Sequence, residues 1–169
     1  MEVLLPVPSS ALRLRPWRPD DLAALVEAHR DPVLRRWLTT SLTGEAEARE
    51  WLDAQSAGWA AVTRFSFAVV AGDTLMGHVV VKTGTAEVGY WTAAHARGQG
   101  IAVRALDTAA HWALHTQDTV AITRLGLVHA AANAASCRVA VKCGFAFREL
   151  LPAAPPAFPG EGHRHERTG

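Results

Sequence analysis

Between residues 86 and 115 the chain passes from a strand-like run, Ala86-Glu87-Val88-Gly89-Tyr90-Trp91, through the turn Arg97-Gly98-Gln99-Gly100-Ile101-Ala102. A helix-like run follows, from about Gly98 to about His115. A strand that hands over to a long helix requires a sheet with helices packed against it. The glycine turn also makes a ligand site. The start of a helix leaves backbone N–H groups without intrahelical partners, and the helix dipole places its positive end there. Two glycines let a bulky anion reach the main chain. Arg97 adds a fixed positive charge with forked donors. The spacing is neither G-x-x-x-x-G-K-[ST] nor G-x-G-x-x-G after a first strand, so triphosphate and dinucleotide loops are disfavoured.

The rest of the chain reads as mixed structure. Leu12 and Leu14 alternate with Arg13 and Arg15, as in a half-buried strand. Asp20, after Pro19, is the expected cap of a first helix with Leu22, Leu25, Val26 and His29 on one face, and Asp31-Pro32 ends it. Thr43 is the expected cap of a second helix, with Glu45 and Glu47 in its first turn and Ala48, Trp51, Leu52, Gln55 and Trp59 near one face. Strands are expected over Phe65–Ala71 and Leu75–Lys82, joined by Gly72-Asp73-Thr74, and over Leu125–Val128. Asn133 opens a further helix that Gly144 closes with a left-handed residue. Ala146–Leu151 and His163–Thr168 read as last strands, and the Pro-, Ala- and Gly-rich Pro152–Gly162 as a loop. The order is neither all-β nor strict βαβ, and it fits an α+β sheet with helices on both faces.

Two separated motifs carry a family resemblance. Arg97 to Ala102 reads R-x-x-G-x-A. Asn133-Ala134-Ala135-Ser136-Cys137-Arg138-Val139-Ala140-Val141-Lys142-Cys143-Gly144-Phe145 reads N-x-x-S-x-x-V-x-x-K-x-G-F. With the opening Leu12-Arg13-Leu14-Arg15-Pro16-Trp17 and Pro19-Asp20-Asp21-Leu22, the chain resembles the RimJ/RimL branch of the GNAT acyltransferases from about Leu12 to about Leu150. The resemblance implies the GNAT fold, a mixed and mostly antiparallel sheet splayed between its fourth and fifth strands. It implies one domain over residues 1–169 and acetyl-CoA as cosubstrate. The pyrophosphate would sit on Arg97, Gly98, Gln99, Gly100, Ile101 and Ala102. The pantetheine would pair with backbone at Trp91, Thr92 and Ala93, with Asn133 across the cleft.

Acyl transfer to an amine needs a neutral amine, a polarised thioester carbonyl and a stabilised leaving thiolate. An α-amine of pKa ~8 costs about 1.4 kcal/mol to deprotonate at pH 7, and a lysine at ~10.4 about 4.6 kcal/mol. Glu87 is the candidate base, the alternative being an ion-paired strand glutamate; His78, His95 and His129 rank lower. Many relatives carry a tyrosine seven residues after the asparagine, where this chain has Ala140. The branch's serine is matched by Ser136, a donor to the sulfur or a first-turn serine bonding its own backbone. Tyr90 reads as a packing residue. The expected acceptor is a peptide N-terminal α-amine, the alternatives being a small amine such as an antibiotic or amino acid, or a non-catalytic acyl-CoA-binding module. The acyl group, acetyl or succinyl, is not fixed by the sequence.

Composition excludes several classes. A net charge of +1 without a basic stripe disfavours nucleic acid. No apolar run reaches the ~20 residues that span a bilayer, and Glu2, Pro6 and Pro8 do not suit a signal peptide. Cys137 and Cys143 fall on different faces of one expected helix, so free thiols and a cytoplasmic location are expected. No metal is expected. His111 and His115 have helical spacing without a third ligand, and His163 and His165 alternate in a strand with no evident cysteine or carboxylate. The sequence sets no oligomeric state and is compatible with a homodimer.

Overall fold

The computed structural model describes residues 3–4, 12–40 and 42–169; the proline-interrupted start of the chain falls almost wholly outside them. The strands are β1 (Val3–Leu4), β2 (Leu12–Pro16), β3 (Arg64–Ala71), β4 (Thr74–Lys82), β5 (Glu87–Thr92), β6 (Arg124–Ala130), β7 (Ala146–Leu151) and β8 (Gly162–Thr168). The helices are α1 (Leu22–Ala28), α2 (Pro32–Trp37), α3 (Glu45–Ala60), α4 (Ile101–His111) and α5 (Ala134–Lys142). The sheet order is β1-β2-β3-β4-β5-β6-β8-β7. Every neighbouring pair is antiparallel except β5 and β6, which are parallel and meet at a single registered pair, Glu87 with Gly126. Beyond that pair the two strands diverge, and this is the expected splay.

β3 and β4 are buried from Phe65 to Val70 and from Leu75 to Val81, because helices cover both faces. α3 packs on β3, and α4 packs on β4 and β5. One aromatic cluster joins Trp17, Trp51, His78 and Trp91, with Trp17 and Trp51 edge to face at 5.1 Å. Another brings Trp59 and Trp112 against Phe65 and Phe67. His78 is wholly buried, and burial drives its pKa down to about 3. Trp17 Nε1 donates to its Nδ1 at 3.1 Å. It is a neutral core histidine, not a base.

Several helix starts differ from the sequence reading. Asp21, not Asp20, is the cap residue of α1, but its carboxylate caps no N–H of that helix: it accepts the Arg18 N–H at 2.8 Å and a two-pronged contact from Arg15 at 2.7 and 2.8 Å. Asp31-Pro32 does not merely end α1. Asp31 caps α2, accepting from the N–H groups of Val33 and Leu34, with Pro32 in the first turn. Gly44 rather than Thr43 is the cap residue of α3; Thr43 Oγ1 donates to Glu47 at 3.0 Å. α4 begins at Ile101, after the glycines, and ends in a wider turn over Trp112–Thr116. Both cysteines are free. Among the described residues no helix is long and apolar enough to cross a membrane.

Candidate active site

Gly98 and Gly100 have φ of +73° and +71°, and a Cβ at either would meet nothing within 4 Å. They are glycines for backbone conformation, not for space. Their left-handed geometry turns the chain into α4 and leaves the first-turn N–H groups of α4 facing outward. Beside them lies a cleft of about 470 Å³. Its walls are Val33, Leu34 and Trp37 from α2, Tyr90 and Thr92 from β5, and Asn133, Ser136, Arg138 and Lys142 around α5. Gly98, Gly100, Ile101 and Ala102 line the turn side. The charged residues along it, Arg97, Arg138 and Lys142, are all cationic, and no Asp, Glu or His lines it among the described residues. Arg138 and Lys142 are a basic pair at helical spacing that was visible in the sequence.

The backbone hydrogen bonds of β5 fix which of the expected residues turn their main-chain groups toward β6. Ala93 N–H donates to Met76 of β4 at 2.9 Å, whereas Ala86 C=O accepts from Gly126 of β6 at 2.8 Å. Strand alternation then turns the main-chain groups of Trp91 and Ala93 toward β4, and those of Val88, Tyr90 and Thr92 toward the diverging β6. Of the expected trio, only Thr92 offers its backbone to the cleft; Tyr90 is the second such residue. Trp91 contributes its ring to the core, is 7% exposed and also lines the cleft.

Arg97 lies at the cleft, but its guanidinium is paired with Asp31 and lies 3.5 Å from the Thr92 carbonyl. The ion pair ties the glycine turn to the cap of α2. Burial works to raise the Asp31 pKa; the Arg97 hydrogen bond and the Val33 and Leu34 N–H groups outweigh it and hold the carboxyl below its ordinary value. Gln99 folds back onto the His95 carbonyl at 2.8 Å and is not among the lining residues.

Asn133 is the cap of α5, its Oδ1 accepting the Ser136 N–H at 3.1 Å. The cap uses only the carbonyl oxygen, so the amide NH₂ remains for a ligand. Ser136 Oγ accepts from the Tyr90 hydroxyl at 3.0 Å. Tyr90 packs against the core, as read, and does more than pack: α5 brings a serine onto the hydroxyl of this strand tyrosine 46 residues away in sequence. Burial raises the Tyr90 pKa, so the phenol keeps its proton at neutral pH. Ala140 is fully buried and presents nothing to the cleft.

Glu87 sits where β5 and β6 join. Its carboxylate faces Arg164 at 3.5 Å, and it is not among the lining residues. The ion-paired alternative describes it. Histidines also fall otherwise than expected: His163 and His165 have Cys137 and His129 beside them, partners their own strand does not reveal.

Residues 11–146 match the acetyltransferase (GNAT) domain family. No protein of curated function matches the sequence. The fold is similar to that of a Vibrio cholerae protein described as a candidate ribosomal-protein-serine acetyltransferase, at 22% identity, covering 99% of this chain and 98% of that one, with a TM-score of 0.82. It is similar also to a Salmonella typhimurium acetyltransferase that modifies the N-terminal serine of a 50S ribosomal subunit protein (19% identity, 99% of each chain, TM-score 0.81). A third likeness is to Mycobacterium smegmatis RimJ in complex with CoA-disulfide (20% identity, 99% of this chain and 87% of that one, TM-score 0.78). The glycine turn, the opened sheet and the family match agree: the chain belongs to the GNAT acetyltransferase family and is an acetyl-CoA-dependent N-acetyltransferase.

Proposed function

We propose that this enzyme, acting as one domain in the cytoplasm, acetylates the N-terminal α-amine of a protein or peptide. The observation that carries the acceptor class is the absence of Asp, Glu and His from the described cleft lining. With no Asp, Glu or His on the cleft lining to take the proton, the reading has the acceptor shed it to water at little cost. An α-amine does so about 3 kcal/mol more cheaply than a lysine at pH 7. The Salmonella acetyltransferase modifies an N-terminal serine, and the Vibrio protein is described as a candidate ribosomal-protein-serine acetyltransferase; both likenesses support the same reading.

In this reading the pyrophosphate of acetyl-CoA rests on the backbone of Gly98 to Ala102, with Arg138 and Lys142 supplying positive field. The pantetheine amides pair with Tyr90 and Thr92 backbone, and Asn133 Nδ2 donates from the far wall. The amine nitrogen bonds to the acetyl carbon as the carbon–sulfur bond breaks. Ser136, whose oxygen already accepts from Tyr90, donates its O–H hydrogen bond to the leaving sulfur; the proton lost by the ammonium before attack goes to water, and the one the nitrogen sheds on becoming the amide ends on the thiolate as the CoA thiol. Glu87 has no part in these steps.

The test is acetylation of a free-N-terminus peptide panel beside N-blocked peptides carrying one internal lysine. The expected kcat/KM ratio favours the α-amine by about 200-fold at pH 7, the ratio of neutral amine. Equal rates on the blocked lysine peptides would reject the acceptor class.

A further inference from the structure

On the sheet face covered by α5, four side chains with metal-ligating atoms converge. The antiparallel register of β6 and β8 sets His129 opposite His163. Strand alternation puts His165 on the same face as His163. The first turn of α5 lays Cys137 over them. One ligating atom from each of His129, Cys137, His163 and His165 lies within 4.8 Å of all the others. We propose that these four residues form a site for one zinc-type divalent transition-metal ion, independent of the acceptor assignment above.

The hydrogen bonding calls for a cation at this place. His129 Nδ1 lies 2.8 Å from the Ala130 carbonyl, and His165 Nδ1 lies 3.3 Å from the Phe145 carbonyl. A carbonyl only accepts, so the tautomer that satisfies both contacts carries the proton on Nδ1 and presents a bare lone pair at Nε2. Yet those two Nε2 atoms face each other at 3.2 Å. Two acceptors in contact repel unless a positive centre lies between them. A metal suits well, because a backbone carbonyl on the far nitrogen is the usual support for a ligating histidine.

Other contacts agree. Cys137 Sγ is 3.9 Å from His165 Nε2. Tetrahedral zinc with ordinary bond lengths needs edges of about 3.3 Å between nitrogens and about 3.6 Å between nitrogen and sulfur, so the widest edge, at most 4.8 Å, closes by about 1.5 Å or less. His163 Nδ1 is buried with no hydrogen-bond partner. Phe147 packs edge-on against His163 and His165 at 5.2 and 5.7 Å, an apolar cover for the site. His165 itself is 1% exposed. Three histidines and a thiolate are a borderline-soft set that favours zinc over magnesium or calcium. Four protein ligands complete a tetrahedron, so the ion's role is structural. It clasps the first turn of α5, which carries Ser136, to β6 and β8. Binding releases the Cys137 thiol proton to solvent.

The test uses the untagged, full-length, chelator-treated protein titrated with Co²⁺ and then Zn²⁺. Expected are one Co²⁺ per chain, a thiolate-to-cobalt charge-transfer band with intense tetrahedral visible bands, and displacement by Zn²⁺ with a rise in Tm. Cys137→Ser removes the charge-transfer band, and His163→Gln weakens uptake about 100-fold or more. A His111→Ala/His115→Ala double variant changes neither. Failure of the wild-type protein to take up one equivalent would overturn the site, whatever the variants do. So would a charge-transfer band that survives in Cys137→Ser, or uptake lost only in the His111/His115 variant.

Discussion

Tyr90 and Ser136 make the smallest unit of the proposed chemistry, a phenol donating to a hydroxyl at 3.0 Å on the cleft wall. Removing the Ser136 hydroxyl takes away a donor to the leaving sulfur, so Ser136→Ala is expected to lower kcat about 100-fold. Tyr90→Phe leaves that hydroxyl unsupported and is expected to lower kcat about 10-fold. Steady-state kinetics beside acetyl-CoA binding checks both, since the affinity should move by less than about threefold in either variant. Gly100 acts through backbone alone. With open space around it and φ at +71°, Gly100→Ala is expected to destabilise by about 1 kcal/mol in chemical unfolding. The glycines were legible in the sequence because a turn into a helix announces them. Tyr90 was not, since its role depends on where α5 lands, and no local pattern encodes a contact 46 residues away.

At the scale of elements, α2 is the piece that the sequence hid. An Asp-Pro pair looks the same whether it ends one helix or starts the next. Here it does both, and the Asp31 carboxylate also holds Arg97 of the glycine turn. Asp31→Ala is therefore expected to cost about 1 kcal/mol as a lost cap and to weaken acetyl-CoA binding as well, a pairing that a cap alone would not produce. Arg15 and Asp21 fasten β2 to the entry of α1 through two short contacts, both side chains being 10% exposed. Asp21→Asn replaces this two-pronged ion pair with neutral hydrogen bonding at most and is expected to cost about 2 kcal/mol in urea unfolding. The alternation of His163 and His165 was readable from sequence. The approach of Cys137 and His129 was not, because it follows from the β6–β8 register and from α5 packing over it.

Over the whole molecule, the sheet order and the splay follow from features spread along the chain: an alternating first strand, a hairpin, a glycine turn, and a second helix opened by Asn133. That is why the architecture was readable while the cleft lining was not. The pH dependence of stability is also a global property. Burial is the main cause of the depressed His78 pKa of about 3, so between about 6.5 and 3 the unfolded chain binds a proton that the folded one refuses. Stability therefore falls with falling pH across that window, by up to about 1.4 kcal/mol per unit from this group. Burial works to raise the Asp21 pKa, but the hydrogen bonds and charges of Arg15 and Arg18 hold it below 3.8. Its contribution is full above the ordinary carboxylate value and is lost only as pH falls through the lowered one. Urea midpoints measured from pH 8 to pH 3 should decline from near 6.5 downward, and His78→Gln should flatten the upper part of that decline while His29 and His129, also depressed by burial, keep a residual slope. The central claim is that the Gly98–Ala102 turn, with the opened edge of β5, holds acetyl-CoA. Calorimetric titration of the wild-type protein and of a folded Gly100→Glu variant tests it most directly. One-to-one binding in the micromolar range that the variant abolishes is the predicted result; equal binding by both proteins, or none by the folded wild type, would contradict it.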